Sequence, residues 1–149
     1  MSRVIFAFKL FRIRKDGSIG SLFVEPTARH PIGTWIPAKA HSHKKLKFRK
    51  GWHALIHPNA PHLSKKNRAW YIVMVDNYEV IDRPKNHGGK WVIAQKLNII
   101  GRLPDSVIHL STGILLARNS HGEYSSFDGK VKFDSREIII NTTAFLYVR

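Results

Sequence analysis

The chain has 149 residues, 43% of them hydrophobic and 23% charged, a composition typical of one globular domain rather than of a disordered segment. It contains no cysteine, which excludes disulfides, thiolate catalysis and cysteine-ligated metal centres. The formal net charge is +15, and no apolar run reaches the ~18 residues that a membrane-spanning helix needs. We therefore expect a cytoplasmic protein that does not enter a membrane.

The front of the chain predicts short strands, because valine, isoleucine and aromatic residues dominate its apolar positions. An Asp16-Gly17 turn predicts that the first strand returns on itself as a hairpin. The segment that begins at Pro58 predicts a short helix, since proline is favoured in a first helical turn. The elements predicted up to the middle of the chain are strands 4–14, 19–24, 34–36 and 52–56, a helix within 58–66, and strands 69–75 and 78–81 around an Asp76-Asn77 turn.

The back of the chain predicts a further series of strands. Residues 91–103 form the longest apolar stretch, and a boundary is expected near Pro104. The later predicted strands are 107–110, 114–117, 131–133, 137–140 and 144–148. The predicted fold is α+β and strand-dominated: a twisted, mainly antiparallel sheet with one or two short helices and a β-rich C-terminal extension.

We predict a basic α+β domain over residues 1–103 and an extension over 104–149 that packs on the same core. Both parts should contribute apolar strand faces to this core. The expected core residues are Phe6, Phe8, Leu10, Phe23, Trp70, Ile72, Met74, Val92, Leu97, Ile99, Ile138, Ile140 and Phe145.

The fifty residues between Glu25 and Asp76, here called the acid-free segment, contain no acidic side chain but ten lysines or arginines and six of the nine histidines. Such a segment needs counterions or an anionic partner, and a phosphate backbone is the commonest one. The alternative is a solvated basic loop. The expected nucleic-acid-binding residues are Lys39, Lys44, Lys45, Lys47, Arg49, Lys50, Trp52, Lys65, Lys66 and Arg68.

The histidines of the acid-free segment suggest two kinds of chemistry. His41 and His43 have a spacing known from metal sites, but the segment offers no carboxylate to orient the rings, so we predict no metal and no cofactor. His53 and His57 with a nearby cation meet the needs of a metal-free ribonuclease, and packing is the alternative role. Gly88 and Gly89 can either let backbone amides approach an anion or simply form a loop.

Several motifs carry a resemblance to known proteins. The stretch Gly51-Trp52-His53-Ala54-Leu55-Ile56-His57-Pro58-Asn59-Ala60-Pro61-His62-Leu63-Ser64, together with Gly88-Gly89-Lys90-Trp91-Val92-Ile93-Ala94, resembles a family of small proteins found in bacteriophages and prophages. The resemblance covers residues 8–103 and implies a protein of the host-cell cytoplasm.

The order of elements is also remotely similar to the NAD-binding half of ADP-ribosyltransferase folds. That likeness implies that Arg12 holds NAD from the first strand and that His53 lies in the following strand motif.

Three functions are therefore expected. The first is a phage-type accessory protein that binds nucleic acid or a host nucleoprotein through residues 39–68. The second is an enzyme, either ADP-ribosyltransferase-like or a metal-free ribonuclease, with His53, His57 and Arg12 as its catalytic residues. The third is an inhibitor of a host defence protein.

Overall fold

A computed structural model describes residues 3–22, 28–38 and 51–148, and the backbone of 41–43 and 47–49. It confirms the strand-dominated α+β fold class and the mainly antiparallel pairing. The strands of the first part are β1 (Val4–Ile13), β2 (Ile19–Gly20), β3 (Trp35–Pro37), β4 (His41–His43), β5 (Lys47–Arg49), β6 (Trp52–Leu55), β7 (Arg68–Asp82) and β8 (Lys90–Arg102).

The first sheet curls until it closes on itself. β1 pairs with β7 from Val4 opposite Asp76 to Arg12 opposite Arg68, and β7 pairs with β8 on its other side. β8 pairs with β6, and β6 returns to β1 where Phe8 lies opposite Leu55. The four strands thus form a closed antiparallel circuit, a barrel-like arrangement in which each strand has a neighbour on both sides.

One face of this circuit holds small apolar side chains. Strand alternation places every second residue of β1 on it, including Ala7 and Phe11. The cluster on this face combines small side chains with larger ones, among them Phe11, Tyr71, Leu97 and Ile99. The small buried members of this cluster are Ala7, Ala54, Ala69, Val73, Val75, Val92 and Ala94.

The C-terminal part forms a second antiparallel sheet that covers the other face. Its order is β12-β11-β10-β9-β13, and a short helix, α1 (Ser135–Ile140), follows β12. The strands are β9 (Ser106–His109), β10 (Ile114–Arg118), β11 (Glu123–Ser125), β12 (Lys132–Asp134) and β13 (Phe145–Val148).

The two sheets share one apolar cluster. Phe8 and Trp70 from the first sheet pack with Tyr124 and Ile138 from the second part. The Arg136 guanidinium fastens the two together, because its Nη1 donates to the carbonyl of Phe6 at 2.7 Å. The cluster also contains Leu10, Leu55, Ile72, Trp91, Leu103, Val107, Leu116 and Phe145.

Three predicted elements are wrong. The helix expected within 58–66 is a series of turns, in which the Lys65 ammonium donates to the carbonyls of Ala60 and Leu63. The expected turn at residues 76–77 lies inside the continuous strand β7, where Asn77 adopts left-handed backbone geometry with a φ of 52°. Residues 137–140, expected as a strand, belong to α1.

Helix α1 forms because its first turn is capped from both sides. The side chain of Asp134 accepts from the backbone N–H of Arg136, and the Glu137 side chain accepts from the backbone N–H of Asp134. This capping box satisfies N–H groups that a helix start otherwise leaves without a partner. Ile140 then points outward and is 60% exposed, so its assignment to the core is wrong.

Most of the other residues expected in the core are buried. Phe8, Leu10, Trp70, Ile72, Val92, Leu97, Ile99, Ile138 and Phe145 are buried, as expected. Phe6 and Met74 are half-buried. Phe23 lies outside the described residues. The strand expected at 19–24 is shorter than predicted, because β2 ends at Gly20 and residues 21–22 are not part of a strand, while residues 23–24 lie outside the described part. Across the described residues, no helix has both the length and the hydropathy needed to cross a membrane.

Gly88, in the loop before β8, packs closely against the end of β6 and the loop that follows it. A matched pair of substitutions tests this contact. Gly88 has a φ of 97°, and a Cβ there lies 2.6 Å from Leu55 Cδ2 and 2.7 Å from the Asn59 carbonyl oxygen. Gly89 has a φ of 76°, but a Cβ there meets nothing within 4 Å.

We therefore expect Gly88→Ala to lower the free energy of unfolding by about 1–3 kcal/mol more than Gly89→Ala. Both variants carry the cost of left-handed backbone, and Gly88→Ala adds a steric clash. Urea denaturation measures the difference. Equal losses in the two variants would show that the close approach at Gly88 is unimportant for stability.

Candidate functional site

A cleft of about 330 Å3 lies between β1, β3, β6 and the loop after β6. Its lining is rich in aromatic, imidazole and cationic groups, and none of the described lining residues is an aspartate or a glutamate. We call it the aromatic cleft. Its polar and aromatic lining residues are Lys9, Ser21, Arg29, His30, Trp52, His53, His62, Arg83 and Trp91.

Trp52 forms one end of the aromatic cleft. It begins β6, and its indole Nε1 donates to the carbonyl of Ile36 at 3.0 Å, which ties β6 to β3. The His30 ring stands edge-on to the indole, with 5.2 Å between ring centroids. The Ser21 hydroxyl is 2.9 Å from His30 Nε2 and fixes the imidazole in place. A half-buried indole with an oriented imidazole beside it offers a stacking surface for a planar ligand.

Lys9 brings a positive charge to the same end. In β1 it lies between Ala7 and Phe11, on the face that otherwise carries the interior apolar cluster. Its ammonium Nζ donates to the carbonyl of His53 at 2.6 Å and lies 5.8 Å from the Trp52 ring centroid. The charge is therefore held against an aromatic wall and is only partly exposed to water, where its attraction for an anion is stronger than at an open surface.

Trp91 forms the other end. Its indole is buried, and Nε1 donates to the carbonyl of His87 at 2.6 Å. The Arg83 guanidinium lies over the ring, 5.0 Å from the centroid, in cation–π geometry. The rings of His53 and His62 lie 6.4 Å and 6.0 Å from that of Trp91. Two imidazoles and a guanidinium thus surround one indole.

The titration of His62 reports the electrostatic character of this end. Its ring stacks on that of His87, with centroids 4.5 Å apart. Partial desolvation lowers the pKa of His62 below the ordinary 6.5, and the positive charges of His87, Arg83 and Lys65 lower it further. A proton at His62 is thus disfavoured by three neighbouring cations, so this end of the cleft has a positive potential.

Removing one of these cations should raise the pKa of His62. We expect His87→Gln to move it upward toward 6.5, because the substitution removes a like charge from the stack. An NMR titration of the imidazole protons measures the shift, and His121→Gln, on the loop after β10, is the matched control. A His62 pKa that stays unchanged or falls in His87→Gln contradicts this electrostatic picture.

The lowered pKa of His62 also fixes the sign of its effect on stability. Just below pH 6.5 the unfolded chain binds more protons at this position than the folded one. The contribution of His62 to stability is therefore complete above that pH and declines as the pH falls through this window.

The structure does not gather the three expected catalytic residues into one site. His53 lines the aromatic cleft, but His57 does not. Instead, His57 Nδ1 lies 3.4 Å from a carboxylate oxygen of Asp134 in the C-terminal part. Arg12 is likewise absent from the cleft lining, and its Nη2 donates to the carbonyl of Leu22 at 3.2 Å.

The expected nucleic-acid-binding residues occupy several places. Trp52 lines the aromatic cleft, whereas Lys65 and Arg68 line a second cleft on the other side of the loop after β6. Lys66 is exposed on that loop. Lys47 and Arg49 lie on β5, which forms a hairpin with β4. The residues Lys39, Lys44, Lys45 and Lys50 lie outside the described part of the chain.

Two other expectations concern metal and anion binding. In the described part of the chain, no group of three or more His, Asp or Glu residues is arranged to hold a metal. The side chains of His41 and His43 lie outside that part. The backbone N–H groups of Gly88 and Gly89 donate to the carbonyls of Lys85 and Pro84, so both amides serve the local turn.

His30 and His62 line the aromatic cleft and lie in the acid-free segment, but they are not among the expected binding or catalytic residues. Three lining residues from outside that segment are not predicted either: Lys9, Arg83 and Trp91. Only Lys9 carries a usable signal, because a lysine between Ala7 and Phe11 interrupts the apolar face of an alternating strand. Arg83 and Trp91 enter the cleft through strand pairing that no local pattern indicates.

No family model, curated protein or solved structure matches the chain. The resemblance to bacteriophage proteins and the remoter likeness to ADP-ribosyltransferase folds therefore stay predictions.

Proposed function

We propose that the chain binds single-stranded nucleic acid, with a base stacked in the aromatic cleft and neighbouring phosphates drawn to the surrounding cations. On this proposal the protein is an accessory factor that acts on nucleic acid or on a host nucleoprotein. The observation that carries the proposal is the acid-free lining of the cleft, in which indoles, imidazoles and fixed positive charges lie side by side.

The aromatic side chains of the cleft form a surface on which an unpaired base can stack. Trp52 and His30 meet edge to face, so a base that lies on one ring contacts the edge of the other. Stacking on an aromatic side chain is the usual way in which proteins hold an unpaired base, and it tolerates any sequence. The volume of the cleft, about 330 Å3, lies at the lower end of the range for small-molecule sites and suits one base with its sugar.

The positively charged side chains of the cleft can attract the phosphates that neighbour the base. Lys9 and Arg83 each lie over an indole and keep their charges within the cleft. Arg29 contributes less, since it pairs with Asp16 at 2.5 Å. A ligand that joins flat aromatic groups to negative charges fits this arrangement, and nucleic acid is such a ligand.

The distribution of charge along the chain agrees with a polyanion as the partner. Residues 105–149 contain five basic and five acidic side chains, so the whole net charge of +15 belongs to residues 1–104. The aromatic cleft is built entirely from that part. Counterion release from phosphates should therefore supply much of the binding free energy and make affinity fall with salt.

Replacing the stacking surface tests the proposal. We expect Trp52→Leu to weaken binding of oligo(U) and oligo(dT) by about one to two orders of magnitude, since a stacked base contributes about 1–3 kcal/mol. Fluorescence anisotropy with labelled oligonucleotides measures the affinity, and a thermal melt confirms that the variant is folded at the temperature used.

Trp35→Leu is the matched control. Trp35 lies on the neighbouring strand β3 and is 38% exposed, but it does not line the aromatic cleft. The Trp35→Leu variant should therefore bind both oligonucleotides with unchanged affinity. If Trp52→Leu and Trp35→Leu bind equally well, or if the unaltered protein binds neither oligonucleotide, the proposed function is wrong.

A further inference from the structure

A second cleft, of about 580 Å3, lies where the loop after β6 meets the end of β8 and the loop between β10 and β11. Three arginines converge there, and one of them, Arg118, comes from the C-terminal sheet. We call it the basic cleft. Its charged and imidazole lining residues are Lys65, Arg68, Arg102, Asp105, Arg118 and His121.

The basic cleft carries an excess of positive charge. Asp105 is the single carboxylate among its described lining residues, and it already accepts from Arg118 Nη2 at 3.0 Å. Arg12 does not line the basic cleft, but it lies directly opposite Arg68 in the pairing of β1 with β7. The Arg68 guanidinium donates from Nη1 to the carbonyl of Ser64 at 3.0 Å. Like charges directly opposite each other on neighbouring strands are destabilising, and a bound anion would reduce that repulsion.

Lys65 reports the same positive potential from within the loop. Its ammonium lies 6.0 Å from the Trp70 ring centroid and donates to the carbonyls of Ala60 and Leu63. Burial lowers the pKa of Lys65, and the charge of Arg68 lowers it further. An anion in the basic cleft would offset both effects.

The two clefts are neighbours, separated by the loop of residues 57–67. His62 and Leu63 line the aromatic cleft, while residues 58–61 and Lys65 line the basic cleft. Leu10 lines both. The loop is held compact by its own hydrogen bonds, including those from Lys65. A strand bound in both clefts would have to cross this loop.

We infer that the basic cleft binds consecutive phosphates of the same single strand whose base occupies the aromatic cleft. Guanidinium groups suit this role because their planar, forked donors match the oxygens of a phosphate. The inference rests on the proposed function and adds a second subsite to it, in which Arg68 and Arg102 are the principal contacts. It also fixes a path for the strand, across residues 57–67.

A length series of oligonucleotides separates the two subsites. Uridine monophosphate should bind the aromatic cleft alone, and longer oligo(U) or oligo(dT) should engage both clefts. The test variant is the double substitution Arg68→Gln with Arg102→Gln. Arg102→Gln alone serves as a second variant, because Arg102 is exposed and its replacement does not threaten the fold. Lys130→Gln with Lys132→Gln, near β12, is a control with the same loss of charge.

We expect the double variant to bind uridine monophosphate like the unaltered protein. It should bind an octamer, oligo(U) or oligo(dT) of eight nucleotides, about tenfold or more weakly. Its plot of log affinity against log salt should be shallower by about 1.4, since each neutralised phosphate of a single strand contributes about 0.7 to the slope. Arg102→Gln alone should show about half that change in slope, and the lysine control should match the unaltered protein.

Two different results would show that the phosphate subsite is wrong and that the proposed function itself is wrong. If octamer binding depends on Trp52 but the arginine variants match the lysine control in affinity and slope, the basic cleft is not a phosphate subsite. If the unaltered protein binds no oligonucleotide of any length, the proposed function and this inference both fall.

Discussion

The closure of the first sheet is the constraint on which the rest of the structure depends. β6 is only four residues long, yet it bridges β1 and β8, and the bridge to β1 consists of Phe8 opposite Leu55. Closing the circuit leaves no free edge among the four strands, but it also leaves little room inside. The interior cluster combines small alanines and valines with larger side chains such as Phe11, Tyr71 and Leu97.

The aromatic cleft is a direct result of that closure. Because β6 is held between β1 and β8, Trp52 and His53 come to lie beside Lys9 from one neighbour and Trp91 from the other. The Lys9 ammonium lies at the cleft, where it donates to a carbonyl oxygen and lies near two aromatic rings. The second sheet completes the opposite face and supplies Arg118 to the basic cleft.

The strand content and much of the core could be predicted from alternation and from β-branched residues, because these patterns are local. The three errors have physical causes that propensity does not include. Two prolines and the Lys65 ammonium hold residues 58–66 in turns, and a capping box recruits 137–140 into a helix. Asn77 adopts φ of 52° without ending β7, so a turn signal is absorbed by a long paired strand.

The residues of the candidate site also include some that local sequence patterns could predict and some that they could not. Trp52 and His53 could be identified because they lie in the acid-free segment with its aromatic and basic neighbours. Arg83 and Trp91 could not, since they reach the cleft only through the pairing of β8 with β6 and β7. The contact of His57 with Asp134 could not be predicted either, since Asp134 lies far along the chain and approaches only when the second sheet packs on the first.

Photo-cross-linking to a single strand that carries thiouridine tests the central claim, base binding in the aromatic cleft, most directly. After irradiation and digestion, mass spectrometry identifies the residues joined to the base. If a base occupies the aromatic cleft, cross-links form at Trp52, His30 or Trp91, and a competing unlabelled strand removes them. Cross-links confined to residues 105–149, or none from a folded protein, would contradict it.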